Sequence, residues 1–337
     1  MVVWGAGAVG TRAARQLLSS PEVADVLVAD RHPRRAEDVA RALGSGAAPH
    51  PGGQGALDGA AALLLAAPLN GPKVRNRPSL VEQAVRAGMT VVCTSDRLAD
   101  VELLLGLGSA ARASGATVLV GAGMAPGLTD VLARWGARGF DAVEELHVAK
   151  SGTGGPACAR QHHRALGEEA LDWRDGNWAR RAGGSGRELV WFPGPVAGQD
   201  CYRAGLPDAL LLVPAFPGVR RVTARLAATR RDRLTAPLPM LRPPHPEGEV
   251  GAVRVEVRGR AAGGREASVV GGTGAPAVVA GAVAALGVLW SLRGTLRTGR
   301  AAGLGELVED PAAFLAELSQ RGVTVESFEG GSARARA

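Results

Sequence analysis

The feature that most constrains the fold is a glycine-rich turn close to the start of the chain. Val2-Val3-Trp4 has the composition of a short strand, and residues 11–18 carry a helical pattern. Between them lies the spacing G-x-G-x-x-G. In a dinucleotide-binding turn the first glycine permits the tight bend, the second lets the backbone approach a pyrophosphate, and the third lets helix and strand pack closely. We therefore expect a cofactor-binding turn made of Gly5, Gly7, Ala8, Val9 and Gly10.

An acidic residue follows at the distance that such a unit requires. Residues 26–29 form a second apolar run, which ends at Asp30, twenty residues after Gly10. This is where a dinucleotide-binding unit places the acid that binds the ribose hydroxyls. The adjacent Arg31, with Arg34 and Arg35, could instead reach a 2′-phosphate, which Asp30 would repel. The acid favours NAD and the arginines favour NADP; we favour NAD and leave use of both cofactors open.

Strand and helix patterns alternate from residue 2 to about residue 120. Continuous apolar runs at 61–67, 90–93 and 117–120 predict buried strands, and 80–87 and 101–113 predict helices, the second with Asp100 as its N-cap. The alternation predicts an N-terminal Rossmann domain, a doubly wound parallel sheet. Ligands bind such sheets at the carboxyl ends of the strands. We therefore expect further cofactor contacts from the residues that follow these strands: Ala66, Ala67, Pro68, Thr94, Ser95, Gly123, Met124 and Pro126.

Beyond about residue 140 the pattern changes to shorter strand signals separated by many Gly and Pro residues. Strands are expected at 143–148, 189–192, 219–227, 250–257, 267–270 and 323–326, and helices at 276–292 and 312–320. The helix at 276–292 either covers this second sheet or returns to the first domain. We predict an α/β protein with a Rossmann domain at 1–135, a second α+β domain with a mixed or antiparallel sheet at 136–295, and a C-terminal segment at 296–337 that could return to the first domain.

Composition excludes several other classes of protein. The net charge of +7 comes almost entirely from scattered arginines, and five Phe and one Tyr offer little for stacking on bases, so no nucleic-acid partner is expected. The three cysteines are far apart and form no C-x-x-C, which predicts neither a metal site nor a disulfide framework. The longest apolar run, 275–290, falls short of the roughly 20 residues that span a bilayer. We expect no membrane association and a cytoplasmic location.

Together, the glycine fingerprint, Asp30, the strand end at 66–68 and the turn Gly123-Met124-Ala125-Pro126-Gly127-Leu128 resemble the saccharopine dehydrogenase-like family. The branch in question contains saccharopine reductase and carboxynorspermidine dehydrogenase, and the clear resemblance covers roughly residues 1–135. It implies NAD(P)-dependent hydride transfer at a C–N bond, often of an amino-acid-derived imine, and a homodimer. Residues 150–202 match no substrate motif of the family, so its substrates are not carried over.

Several candidate catalytic residues follow the strand predicted at 143–148. Lys150 enters the glycine-rich loop 151–155 and is a candidate for a contact with a substrate carboxylate or for proton donation. His162 and His163 follow on a predicted helix, where adjacent side chains point about 100° apart, so we do not expect them to share a metal. One of the two is a candidate general acid. Asp96 follows a strand of the first sheet and could contact ribose or substrate. Lys73, the only other lysine, is a weaker candidate.

These observations leave three functional hypotheses. The first is an oxidoreductase that transfers a hydride between a nicotinamide cofactor and an amino acid or its imine, with a small carboxylate-bearing substrate as its partner. The second is a dinucleotide-binding sensor or assembly protein without turnover, and the third is a reductase of a small carbonyl compound. The first two differ in whether a proton-transferring residue, drawn from Lys150, His162 and His163, lies beside the nicotinamide.

Overall fold

The computed structural model describes residues 1–52, 55–69, 77–240, 243–245 and 248–328. Lys73 and the last nine residues lie outside this part of the chain. The described residues form two sheets. One is parallel, the other is mixed, and helices cover the parallel sheet on both faces.

The first 140 residues alternate strands with helices, as predicted. Their elements in chain order are β1 (Val2–Trp4), α1 (Ala8–Leu18), β2 (Val26–Ala29), α2 (Pro33–Leu43), β3 (Ala47–Pro49), β4 (Ala62–Leu65), α3 (Arg77–Arg86), β5 (Thr90–Cys93), α4 (Leu98–Leu105), α5 (Gly108–Ser114), β6 (Thr117–Val120) and α6 (Leu128–Gly136). A short 3-10 turn at Ala137–Gly139 ends this region.

The remaining residues contain more strand than helix. Their elements are β7 (Ala142–Ser151), α7 (Pro156–Ala165), β8 (Ala170–Arg174), β9 (Asn177–Arg181), β10 (Glu188–Trp191), β11 (Gly198–Arg203), α8 (Asp208–Ala215), β12 (Arg221–Ala227), α9 (Arg230–Thr235), β13 (Gly251–Ala261), β14 (Gly264–Gly274), α10 (Pro276–Leu292), β15 (Arg300–Ala302), α11 (Leu304–Leu307), α12 (Pro311–Gln320) and β16 (Thr324–Phe328).

The first sheet is a Rossmann sheet with one additional strand. Its order is β15-β6-β5-β4-β1-β2-β3, and every pair in it is parallel. The predicted doubly wound parallel sheet is thus confirmed. The strand order reverses between β1 and β4, which opens a crevice at their carboxyl ends, the usual ligand position in open α/β sheets.

The second sheet is mixed, as predicted. Its main path is β10-β11-β12-β7-β13-β14-β16, in which β12 and β7 are parallel and the other pairs antiparallel, with β8 and β9 attached beside β12. β7 directly follows the Rossmann elements and lies centrally in the second sheet. Its carboxyl end, at Lys150 and Ser151, faces the crevice of the first sheet.

The long apolar helix α10 returns to the first sheet rather than covering the second. It packs against α1 so closely that a Cβ on Gly281 would lie 2.8 Å from the Cβ of Arg12, and Gly287 faces Leu119 of β6. After it, β15 extends the first sheet and β16 the second. None of the described helices combines the length and the apolar character needed to cross a membrane.

One local prediction was wrong. The helix expected at 101–113 is two helices, α4 and α5, because Gly106 and Gly108 flank the break. Asp100 is not the N-cap, a position that Arg97 occupies. The Asp100 side chain is instead fully buried and accepts hydrogen bonds from the Leu69 N–H (3.2 Å) and the Ser95 hydroxyl (2.8 Å). It therefore ties together the loops that follow β4 and β5.

Candidate active site

The glycine turn between β1 and α1 leaves an open cradle at its middle position. Gly5 has φ +115°, and a Cβ there would lie 2.6 Å from the Ala66 carbonyl oxygen. A Cβ on Gly10 would collide with the Gly5 carbonyl oxygen. Gly7, the N-cap of α1, is different, because a Cβ there would meet no atom within 4 Å. Gly5 and Gly10 therefore serve packing, and Gly7 borders free space at a helix N-terminus, which favours an anion.

Asp30 is held beside this turn by two backbone donors. Its Oδ2 accepts from the Ala6 N–H and its Oδ1 from the His32 N–H, each at 2.9 Å. The carboxylate is therefore fixed at the end of β2, next to the turn that would hold the pyrophosphate. This matches the position of an acid that binds the ribose hydroxyls of a dinucleotide.

A cavity of about 710 Å³ begins at the glycine turn. The predicted cofactor residues that line it are Gly7, Ala8, Val9, Arg31, Ala66, Ala67, Pro68, Thr94, Ser95, Gly123 and Met124. Gly5, Gly10, Asp30 and Pro126 lie outside its lining; the Pro126 ring packs beside Gly121 instead. The volume and the open Gly7 fit a nicotinamide dinucleotide, whose pyrophosphate would lie at α1 and whose ring would lie near the loops after β4, β5 and β6.

At its far end the same cavity reaches three of the four predicted catalytic residues. Lys150 is 4% exposed, and its Nζ donates to Asp96 Oδ2 (3.2 Å) and to the Ala125 carbonyl oxygen (3.0 Å). His162 Nε2 lies 2.9 Å from the same Asp96 Oδ2. Asp96 follows β5, Lys150 is on β7 and His162 is on α7, so both sheets contribute to this end of the cavity.

Burial and charge together determine the protonation states in this group. Burial alone would raise the pKa of Asp96, but Lys150 and His162 outweigh it and hold the pKa well below its usual value. Burial would lower the pKa of Lys150, yet the charges of Asp96 and Asp208 raise it. Burial also opposes the charged form of His162, but Cys158 and Asp96 raise its pKa to about 9. At neutral pH the site therefore contains a carboxylate, an ammonium and an imidazolium.

The sequence analysis did not identify Cys158 as part of this group. Cys158 lines the cavity one helical turn before His162, and its Sγ lies 3.5 Å from His162 Nε2. Burial raises the pKa of a thiol, but the imidazolium of His162 outweighs burial and lowers the pKa of Cys158 below its usual value. The i, i+4 spacing of Cys158 and His162 on a predicted helix was the available signal.

The other histidine candidate lies outside the cavity. His163 Nε2 donates a hydrogen bond to the Leu238 carbonyl oxygen (2.9 Å), and the ring is absent from the cavity lining. His147, on β7, contacts Thr223 through Nδ1 (2.8 Å) and Glu145 through Nε2 (2.9 Å). Of the adjacent pair, only His162 therefore reaches the cavity.

The ligand atoms of Asp96, Cys158 and His162 all lie within 4.8 Å of one another, a spacing that would also suit a metal ion. The ammonium of Lys150 contacts the same Asp96 oxygen that such an ion would use. Lys150 and His162 already place two cations against Asp96, so the arrangement fits a hydrogen-bonded ionic cluster better than a dication site.

The fold and the cavity define a two-domain α/β protein, in which the first domain has a parallel Rossmann sheet and the second a sheet of mixed strand direction. No protein family model matches the chain, and no curated protein matches it either. Among solved structures, the chain is similar to apo saccharopine dehydrogenase (L-Glu forming) from Saccharomyces cerevisiae, with a TM-score of 0.68 at 15% identity over 97% of this chain and 99% of that one. The predicted resemblance to the saccharopine dehydrogenase-like family is thus confirmed at the level of the fold.

Two further solved structures match with lower TM-scores. GenD2 from gentamicin A biosynthesis, in complex with NAD, gives 0.45 at 15% identity over 98% of this chain and 96% of that one. An oxidoreductase from Agrobacterium radiobacter, in complex with NAD+, L-tartaric acid and magnesium, gives 0.41 at 13% identity over 95% and 93%.

Proposed function

We propose that this protein is an NAD(P)-dependent oxidoreductase that transfers a hydride at a C–N bond of an amino acid or of an imine derived from one. The observation that carries the proposal is the continuity of the cavity, which begins at Gly7 and ends at Asp96, Lys150 and His162. A dinucleotide bound with its pyrophosphate at Gly7 would direct its other end toward these ionised side chains. When bound, the cofactor supplies the hydride chemistry.

The cofactor part of the proposal rests on Gly7 and Asp30. Gly7 leaves the space that a pyrophosphate needs, and Asp30 is fixed by the N–H groups of Ala6 and His32 in a position to bind a ribose diol. Arg31 and Arg35 also line the cavity, so a 2′-phosphate would meet both attraction and repulsion there. We favour NAD because the Asp30 carboxylate lies directly beside the turn.

Lys150 and His162 supply two cations at the substrate end. An ammonium has three N–H donors, and the contacts with Asp96 and Ala125 account for two of them, which leaves one for a substrate carboxylate. Because its pKa is raised, Lys150 is a cation that binds an anion and not a general base at neutral pH. A carboxylate-bearing substrate such as an amino acid fits this charge.

His162 is the residue we assign to proton transfer. Reduction of a neutral imine adds a hydride to carbon and a proton to nitrogen, and an acid beside the substrate nitrogen can supply that proton. His162 has a pKa raised to about 9 and is therefore protonated at neutral pH. Asp96 contacts His162 Nε2 at 2.9 Å and orients the ring; we assign it as a positioning residue that also compensates both cations.

The test separates C–N chemistry from reduction of a carbonyl compound and from binding without turnover. NADH oxidation would be followed with 2-oxo acids such as pyruvate and 2-oxoglutarate, each alone and together with a mixture of amino acids. The proposal predicts turnover only when both partners are present, because the imine forms from them. Turnover with an oxo acid alone would support a carbonyl reductase, and cofactor binding without turnover under any condition would support the sensor hypothesis.

His162→Gln and His163→Gln form a matched pair of variants for this assay. The two rings are adjacent in sequence, but only His162 lines the cavity. Loss of a positioned general acid should lower kcat by about 10²-fold or more in the first variant. The second should keep the rate, since His163 contacts Leu238 away from the cavity.

A further inference from the structure

The contact between Cys158 and His162 has no role in imine reduction. Cys158 is partly exposed to the cavity, and its Sγ lies 3.5 Å from His162 Nε2, which also lies 2.9 Å from Asp96 Oδ2. Cys158 is the third residue of α7, where the helix N-terminus stabilises an anion. A thiol, an imidazole and an orienting carboxylate within contact distance are the components of an activated cysteine nucleophile.

The other two cysteines differ from Cys158 in every one of these respects. Cys93 and Cys201 are completely buried, and burial raises the pKa of each to about 12. Each lies on a strand within a core cluster, and neither lines the cavity. Among the three cysteines, one thiol is therefore both reachable from the cavity and paired with a cation.

We propose that Cys158 is a nucleophile that captures an aldehyde at the substrate end of the cofactor cavity, and that the protein oxidises this aldehyde to a carboxylic acid with NAD+ as the hydride acceptor. Lys150, which is linked to Cys158 through His162 and Asp96, would favour an aldehyde that carries a carboxylate. This activity rests on the cofactor part of the proposed function and goes beyond its C–N chemistry.

The reaction balances with the groups in the cavity. The Cys158 thiolate forms a C–S bond with the aldehyde carbon, and the carbonyl oxygen takes the proton of His162. With NAD+ bound at the glycine turn as the hydride acceptor, loss of that carbon's hydride, while His162 takes back the hydroxyl proton, would give a thioester. Water cleaves the C–S bond, releases the acid and restores the thiolate. The sum is aldehyde, NAD+ and water converted to carboxylate, NADH and two protons released to solvent.

The first test measures the nucleophile and needs no cofactor. Native protein would be treated with iodoacetamide between pH 5 and 9, and the labelled cysteine identified by peptide mass spectrometry. We expect labelling of Cys158 alone, with a rate whose inflection lies at a lower pH than that of an ordinary thiol. In His162→Gln the inflection should move above pH 8, and the rate at pH 6.5 should fall on the order of fivefold, once the lower nucleophilicity of a low-pKa thiolate is included. Cys201→Ser is the matched control and should keep the wild-type profile.

The second test measures capture of an aldehyde. Glyoxylate, a small aldehyde that carries a carboxylate, should slow the alkylation of Cys158, and glycolate, the corresponding alcohol, should not. With NAD+ present, glyoxylate should give a burst of NADH and a thioester that hydroxylamine releases, and both should be absent in Cys158→Ser.

Three results would overturn the proposal. A Cys158 alkylation profile with its inflection near pH 8.5, unchanged in His162→Gln, would show an ordinary thiol. Alkylation that glyoxylate does not slow would exclude aldehyde capture. Stoichiometric zinc in the purified protein, with Cys158 alkylated only after chelation, would assign the cluster to a metal site. Failure of the proposed function looks different, since it appears as no thermal shift with any nicotinamide cofactor while the alkylation profile is unaffected.

Discussion

Asp96 Oδ2 lies 2.9 Å from His162 Nε2, although Asp96 follows a strand of the first sheet and His162 lies on a helix that follows the first strand of the second. The same oxygen accepts a hydrogen bond from Lys150. This one carboxylate therefore joins the two sheets across the cavity and compensates two buried cations. The charge of Asp96 stabilises the charged forms of Lys150 and His162, and their charges stabilise the carboxylate, so the three residues titrate as a coupled group.

Replacing Asp96 with Asn should destabilise the protein at neutral pH. The substitution leaves two buried cations without their shared anion, a change that costs about 3 kcal/mol for a buried pair. Because the pKa of Asp96 is lowered in the folded state, its contribution is present above about pH 4 and lost as the pH falls further. Urea unfolding at pH 7 and near pH 2 would measure it, because most of the contribution is lost only well below pH 4; an equal difference between variant and wild type at both values would contradict the ionised cluster.

The rate of imine reduction should fall as the pH rises through about 9. His162 has its pKa raised to about 9, and only its protonated form can donate the proton. The same shift makes protonation of His162 favour folding below about pH 6.5, an effect lost as the pH passes 9. A pH profile of kcat would show the descending limb in wild type. The limb should be missing in His162→Gln and retained in His163→Gln.

Replacing Gly7 with Val should abolish cofactor binding without weakening the fold. A Cβ at Gly7 meets no atom within 4 Å, and its φ of −88° suits any residue, so the added side chain enters the space assigned to the pyrophosphate. Gly10→Ala is the contrasting variant, because its Cβ would collide with the Gly5 carbonyl and should lower the unfolding temperature. Retained cofactor binding in the Gly7 variant, measured by calorimetry, would place the pyrophosphate elsewhere.

Replacing Asp30 with Asn should shift cofactor preference toward NADP. The amide keeps the shape of the side chain and an acceptor for the Ala6 N–H, but removes the charge that repels a 2′-phosphate. The ratio of the NADP to the NAD dissociation constant should fall at least about tenfold, equivalent to about 1.4 kcal/mol. An unchanged ratio would show that Arg31 and Arg35, not Asp30, determine the preference.

Replacing Asp130 with Asn should stabilise the protein at neutral and alkaline pH. Asp130 is completely buried, and burial together with the charge of Asp208 raises its pKa well above the usual value. The folded state therefore retains a proton that the unfolded state loses above about pH 4, and stability falls as the pH rises. The gain should be about 1–3 kcal/mol at pH 8 and vanish near pH 4. The exposed Asp38→Asn is the control, with changes within about 0.5 kcal/mol at both values.

The Rossmann half could be predicted from the sequence because its signals are local. Buried parallel strands are continuous apolar runs, and the glycine turn has a fixed spacing, so β1, β2, β4, β5, β6 and Asp30 were identified. The three-residue edge strand β3 was missed, because it is mostly exposed and has no apolar run. The second sheet was predicted in part. Strands β8, β9 and β11 were missed. For β9, at Asn177–Arg181, the reason is that the strand is almost entirely exposed and shows no apolar alternation.

The candidate site could be predicted only residue by residue. Lys150, Asp96 and His162 were named separately, but their contacts join residues 54 and 66 positions apart, which no local pattern reveals. Cys158 was missed although its i, i+4 spacing to His162 is local, because the sequence does not show that this face of α7 lines the cavity. His163 was as strong a candidate as His162, because the sequence predicts a helix there but does not show which face of that helix points into the cavity.

The central claim is that the cavity from Gly7 to Asp96 binds a nicotinamide dinucleotide, and thermal unfolding tests it most directly. Purified protein would be unfolded alone and with saturating NAD+, NADH, NADP+ or NADPH, with the Gly7→Val variant beside it. At 100 times its dissociation constant, a ligand that binds only the folded state adds about 2.7 kcal/mol, or about 4 °C for a chain of this length. We predict this shift with NAD+ or NADH in wild type and no shift in the variant; no shift with any of the four in wild type would contradict the account.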